Sequence, residues 1–164
     1  MNRHTALAIA TLLGLAVAAP QTAFSQSDPF LGTWQFNPAK SKYSPGPPPR
    51  AETSNTQAEG QNLKFALTGT SANGNSISTT LTAVIDGMPH PQTGVPDNPN
   101  AAYDAAATTR VDAYTLIFSF TKAGKLVQVS TLVVSPDGKT TTLTRTGADA
   151  NGRPVNDLSV WDKQ

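Results

Sequence analysis

Cysteine is absent from the 164 residues, so no disulfide compensates for a small core and burial of apolar surface must hold the fold. Charge of one sign is missing too. The 12 basic residues include Arg3 near the start; setting it aside leaves 12 − 1 = 11 against 11 acidic residues. A nucleic-acid binder needs a basic surplus gathered into a patch or stripe, whereas the cations here are scattered singly from Lys40 to Lys163. Nucleic acid is therefore not an expected partner. Histidine is nearly absent: beyond His4 only His90 remains, in Met88-Pro89-His90-Pro91. A metal site wants three or four converging ligands, and a serine nucleophile wants a base and a Gly-x-Ser-x-Gly elbow. Neither pattern occurs, nor does a phosphate-cradling or dinucleotide-binding glycine loop. The acidic residues fall mostly at turns, as with Asp86, Asp137 and Asp149, where they accept backbone amides and do not form catalytic pairs. No metal, cofactor or catalytic residue is expected, and the chain reads as a non-enzyme.

Long apolar runs are scarce. The one present, Ala6 to Ala19, follows Met1-Asn2-Arg3-His4 and precedes Thr22-Ala23-Phe24-Ser25. A basic start, an apolar centre and small residues before a cut are the parts of a secretory signal peptide. Residues 1–25 are expected to be removed before Gln26, leaving 26–164 as a single domain, periplasmic or extracellular. Broken by Gly14 and containing no cysteine downstream, the run is too short to span a bilayer, which takes about 20 residues. It also offers no site for a lipid anchor. The mature chain is not expected to span a membrane.

What the remainder has is turn chemistry at intervals. Asn73-Gly74, Asp86-Gly87, Ala123-Gly124, Asp137-Gly138 and Asn151-Gly152 each place a glycine where a tight hairpin needs positive φ. Between them lie alternating runs rich in Thr, Val, Ile, Leu and Phe: 63–70, 76–85, 114–122, 126–134, 140–147 and 156–162. These are predicted strands. Leu63, Phe65 and Leu67 share one face, as do Tyr114, Leu116, Phe118 and Phe120, while Lys64, Thr68, Thr115, Ser119, Thr140, Thr142 and Thr144 take the other. One side is dry and the other wet, which argues against a lipid-facing outer-membrane barrel. No sustained 3.6-residue repeat appears; the best helical candidate is the alanine-rich stretch 100–107.

An antiparallel meander leaves unpaired edges unless it closes, and closure also encloses the dry face. The predicted fold is all-β, an antiparallel up-and-down meander closing into a small barrel, with a β-sandwich as the alternative. Ser44 to Pro49 cannot form a ladder strand and is predicted to be an extended loop. Met88 to Asn100, with four prolines, is expected to be a long loop over one barrel mouth.

The start, Asp28-Pro29-Phe30-Leu31-Gly32-Thr33-Trp34-Gln35-Phe36-Asn37, and the close, Ser135-Pro136-Asp137-Gly138 through Asn151-Gly152-Arg153-Pro154 to Trp161-Asp162-Lys163-Gln164, resemble a family of exported, lipocalin-like bacterial proteins without an established activity. Gly32-Thr33-Trp34 is similar to the Gly-x-Trp that opens the first strand of lipocalin and fatty-acid-binding barrels, after a short lead that here is Asp28 to Leu31. The resemblance implies structural roles: Gly32 admits close backbone approach and Trp34 plugs the closed end. No counterpart of the lipocalin Thr-Asp-Tyr loop is present, and the proline-rich first connection departs from the pattern.

Parity places Arg145 on the dry side with Thr141 and Leu143, where a guanidinium needs a partner. Four arrangements are open: stacking on Trp34, as the resemblance implies; pairing with a carboxylate such as Asp157; gripping the acid group of a ligand; or escape to solvent through a bulge near Gly147. Candidate ligand contacts are Arg145, Leu116, Phe118 and Phe120. Two readings of function follow. The first is a barrel holding a small apolar or amphipathic ligand. The second is a packed structural or protein-interaction module of the cell envelope, its partner unknown. Trp161, close to the C-terminus, is expected to matter less for stability than Trp34.

Overall fold

A computed structural model describes residues 28–92, 103–149 and 151–164; the expected signal peptide lies outside them. Ten strands form one antiparallel sheet. In chain order they are β1 (Gly32–Phe36), β2 (Ala51–Glu59), β3 (Asn62–Thr70), β4 (Ser76–Ala83), β5 (Pro89–Pro91), β6 (Ala105–Asp112), β7 (Thr115–Lys122), β8 (Lys125–Val134), β9 (Thr140–Ala148) and β10 (Pro154–Lys163). The spatial order is β4-β3-β2-β1-β10-β9-β8-β7-β6-β5. Except across the β4–β5 step, every strand therefore pairs with its sequence neighbour, and β1 against β10 joins the two ends of the meander. Among the described residues no ladder joins β4 to β5.

The sheet is strongly curled. Phe65 on β3 and Phe118 on β7 stand six strands apart, about 29 Å across a flat sheet, yet their ring centroids are 6.3 Å apart. This excludes two stacked sheets and gives the barrel-like form, with β4 and β5 as its edges. The β5 edge carries Pro89 and Pro91, which lack the amide that would recruit a further strand.

The turn glycines behave as their sequence demands: Gly74, Gly87, Gly124, Gly138 and Gly152 all take positive φ, and Ala123 joins Gly124 at φ 47. Three elements differ from the sequence reading. The alanine-rich stretch contributes β6, because Ala106 and Thr108 pack inward while Phe118 and Phe120 of β7 pair beside them; small side chains fit under large aromatic neighbours. The expected loop 88–100 contains β5, and its later part lies outside the described residues. The strand β2, poor in large apolar residues, carries Thr and Asn at ladder positions and is paired along its whole length with β3. The lead Asp28 to Leu31 is a hydrogen-bonded turn, in which Leu31 N donates to Asp28 O at 3.0 Å.

One end of the barrel is packed solid. Phe30 is 1% exposed and Trp34 3%, and the Trp34 indole N–H donates to Phe30 O at 2.9 Å. Lys163 Nζ stands 4.8 Å from the Trp34 ring centroid, and the Arg110 guanidinium 5.1 Å from that of Phe30. Arg110 also pairs with Asp28 at 2.5 Å, tying β6 to the chain before β1. Gly32 has φ 123, and a Cβ there would stand 3.0 Å from Lys163 Cε. Its glycine character thus leaves room for the lysine stem that covers Trp34. Leu63, Leu116 and Val134 complete this floor.

Trp161 is no peripheral residue. Hydrogen-bonded on both sides by β1 and β9, it is 7% exposed and sets its ring edge-on to Phe36 at 5.4 Å. Chain position misleads here because the last strand is central in the sheet.

The candidate ligand cavity

Above the floor the same strands change composition. On β3, β4 and β7 the inward residues are mostly large and apolar, with Phe65, Leu67, Leu81, Phe118 and Phe120 forming one wall that Thr79 interrupts. On β2, β8, β9 and β10 the inward positions carry Ser54, Thr56, Ser130, Thr141 and Ser159, each 8% exposed or less. A serine in place of a leucine leaves unfilled volume. The result is a cavity of about 510 Å³, based on Phe30 and Trp34 and reaching Pro45 and Pro49 at the open end.

Arg145, Asp157 and Glu52 bring charged side chains into this space, beside the hydroxyls of Tyr43 and Tyr103. Arg145 on β9 lies directly opposite Asp157 on β10 in the ladder, its Nε 3.9 Å from Asp157 Oδ2. Asp157, 6% exposed on its side chain, also accepts the Ser44 backbone N–H at 2.9 Å. Glu52 enters from β2. Its carboxyl has no hydrogen-bond partner among the described residues, and burial pushes its pKa up to about 7 despite the opposing influence of Arg145. Burial likewise raises Tyr43, whose hydroxyl shares a 2.6 Å hydrogen bond with Ser159, and Tyr103.

The candidate residues separate under this geometry. Arg145, Phe118, Phe120 and Trp34 all line the cavity. Leu116, at 0% exposure, does not line it: it is packed in the core, one inward position nearer the floor than Phe118. Arg145 does not stack on Trp34; Lys163 holds that place, because register sets Lys163 opposite Trp34. Nor does a bulge carry Arg145 outward. Gly147 stays in register with Gln128 and Val155 on its two sides, and a Cβ at Gly147 would fall 2.3 Å from Val127 O, so only glycine allows the close approach. Beyond Thr141, sequence reasoning missed Glu52 and the inward hydroxyls Ser54, Thr56, Ser130 and Ser159. The one signal for Glu52 was alternation with Ser54 and Thr56, which is faint on a strand without large apolar residues.

His90 lies on the edge strand, its Nε2 2.9 Å from Asp86 Oδ2. Among the described residues no cluster of three or more His, Asp or Glu side chains is arranged to hold a metal ion, and no helix is long and apolar enough to cross a membrane.

A curled antiparallel meander with an interior cavity defines the calycin-like β-barrel class. Within it, the chain is similar to zebrafish ileal bile acid-binding protein, solved with cholic acid: TM-score 0.55, 15% identity, covering 83% of this chain and 99% of that one. A redesigned β-barrel solved with DFHBI aligns at TM-score 0.45 and 12% identity over 82% of this chain and 95% of its own. At these identities the first likeness shows the fold and nothing finer. No protein-family model and no curated protein matches the sequence.

Proposed function

We propose that the chain is an exported, non-catalytic binding protein that holds one small apolar or amphipathic molecule inside its barrel. The observation that carries this reading is the cavity: about 510 Å³, within the roughly 300–1,000 Å³ of small-molecule sites. A barrel of this size either fills its interior with side chains or holds one ligand, and here the upper interior is left open. Its two walls differ, one aromatic and aliphatic, the other carrying hydroxyls and Arg145. That division suits a molecule with an apolar body and a polar end. Cholic acid, bound by the zebrafish protein, is of that kind. Export rests on the leader at residues 1–25.

The test is to express the full chain in an exporting host, identify the mature N-terminus, purify it natively and extract it with solvent. The expected result is a start at Gln26 and a lipid, pigment or other amphiphile at one per protein. Native protein that yields no ligand, and takes up no amphiphilic probe, would sink the binding reading in favour of the packed interaction module.

A further inference from the structure

We infer that Glu52 is a specificity-determining residue of the cavity, forming with Arg145 a head-group subsite that takes an amphiphile with one acidic head and releases it as the pH rises past neutral. This rests on the binding reading above and adds to it the ligand class and its control.

The cavity holds donors without acceptors. The Arg145 guanidinium carries five N–H donors, and among the described residues its ion-pair partner is Asp157 at 3.9 Å, beyond hydrogen-bond length. Ser54, Thr56 and Ser130 line the same cavity with hydroxyls that have no hydrogen-bond partner among the described residues. A head group rich in acceptors satisfies these donors, and a carboxylate matches the guanidinium fork.

Charge then decides the role of Glu52. The charged or titratable side chains around it are Arg145 from β9, Asp157 from β10, Tyr43 from the β1–β2 connection and Tyr103 before β6, with Asp149 and Arg153 paired with each other at the rim. The neighbouring strand β3 presents Phe65, Leu67 and Gly69, and β1 presents Trp34, none of them charged. Arg145 and Asp157 together are neutral. With Glu52 protonated, an entering carboxylate meets a guanidinium and a carboxylic acid proton donor; with Glu52 ionised, it meets two fixed carboxylates and one cation. Binding of the anion is therefore coupled to one proton taken up from solvent onto Glu52, whose pKa near 7 puts the change at neutrality.

Three probes with one tail and different heads test this: decanoate, decylammonium and 1-decanol, titrated calorimetrically into the purified protein from pH 6 to 8.5. Decanoate is ionised throughout, so a pH dependence belongs to the protein. The expected result is preference for decanoate at pH 6 and a Kd rising by up to about tenfold per pH unit above 7, the slope for one linked proton. Buffers of different ionisation enthalpy should register little proton uptake at about pH 6 and uptake approaching one proton at about pH 8 and above. Glu52→Gln keeps a donor and removes the titration, so it should flatten the profile between pH 6 and 8.5. Arg145→Met should bind decanol still and lose the preference for decanoate. An unchanged slope in Glu52→Gln overturns the inference, as does preference for decylammonium. If all three bind wild type equally at every pH, only the inference falls; if none binds, the binding reading falls with it.

Discussion

The two ends of the barrel are built from the same strands with the same alternation, and they differ in what the inward positions carry. At the floor, Phe30, Trp34, Leu63, Leu116 and Val134 are at most 3% exposed, and the cations Lys163 and Arg110 cover aromatic faces. One or two turns of ladder higher, inward serines and threonines leave space, and the inward cation Arg145 faces that space. The floor has its charges outside an apolar plug; the cavity has them inside an apolar wall. The first arrangement serves stability, since stems of Lys and Arg cover apolar surface with their heads in water. The second holds polar groups in a desolvated place where stability is not served.

The largest expected break in the comparison is at the floor. Trp34→Ala should lower unfolding free energy by about 3–5 kcal/mol, the range for deleting a buried aromatic side chain, measured by urea denaturation. Trp161→Ala should fall in the same range, because its ring is buried by β1, β9 and Phe36; a loss under about 1 kcal/mol would mean that the β1–β10 seam is looser than its ladder indicates.

Next in size is Glu52. Its pKa is higher in the folded chain, about 7, than its ordinary value of 4.5, so the folded state binds more protons between those values. Stability is then full below about pH 4.5 and declines as the pH rises to about 7, by at most about 3 kcal/mol if the whole difference is expressed. Glu52→Gln should abolish that decline. Denaturation curves at pH 5 and pH 8 check it, and equal slopes for both proteins would refute it.

Arg145→Met should cost about 1–3 kcal/mol, the range for leaving a buried polar partner unmet, since Asp157 would keep only the Ser44 N–H. The double change Arg145→Met with Asp157→Asn should recover part of the loss. Absence of any recovery in that cycle would show that the two groups are not coupled.

The smallest effect is at Thr141, whose Oγ1 is buried with no hydrogen-bond partner among the described residues. Thr141→Val should raise stability by about 1 kcal/mol, read as a higher melting temperature, and a decrease would mean that the hydroxyl is satisfied in solution.

Much of this was legible along the chain. Leu63-Phe65-Leu67 and Leu116-Phe118-Phe120 announce inward faces by period-two alternation, and five dipeptides ending in glycine mark tight turns, because both signals depend on residues within a few positions. Strand β2 and strand β6 were not legible. Ala51 to Glu59 and Ala105 to Asp112 hold few large apolar residues; they are strands because neighbours supply the partners for their backbone. Glu52 and the hydroxyl wall were hidden for the same reason.

Alternation and turn residues by themselves determined an all-β antiparallel meander and the strand parity that sets Arg145 on the dry side, since side-chain direction in a strand follows from parity alone; the buried role of Trp34 came from the resemblance carried by Gly32-Thr33-Trp34. Which partner each inward group meets was decided only by the tertiary structure. Lys163 and not Arg145 covers Trp34, Asp157 stands beside Arg145, and Glu52 shares their cavity, because register and curvature bring together residues from opposite ends of the chain, and no local rule specifies either.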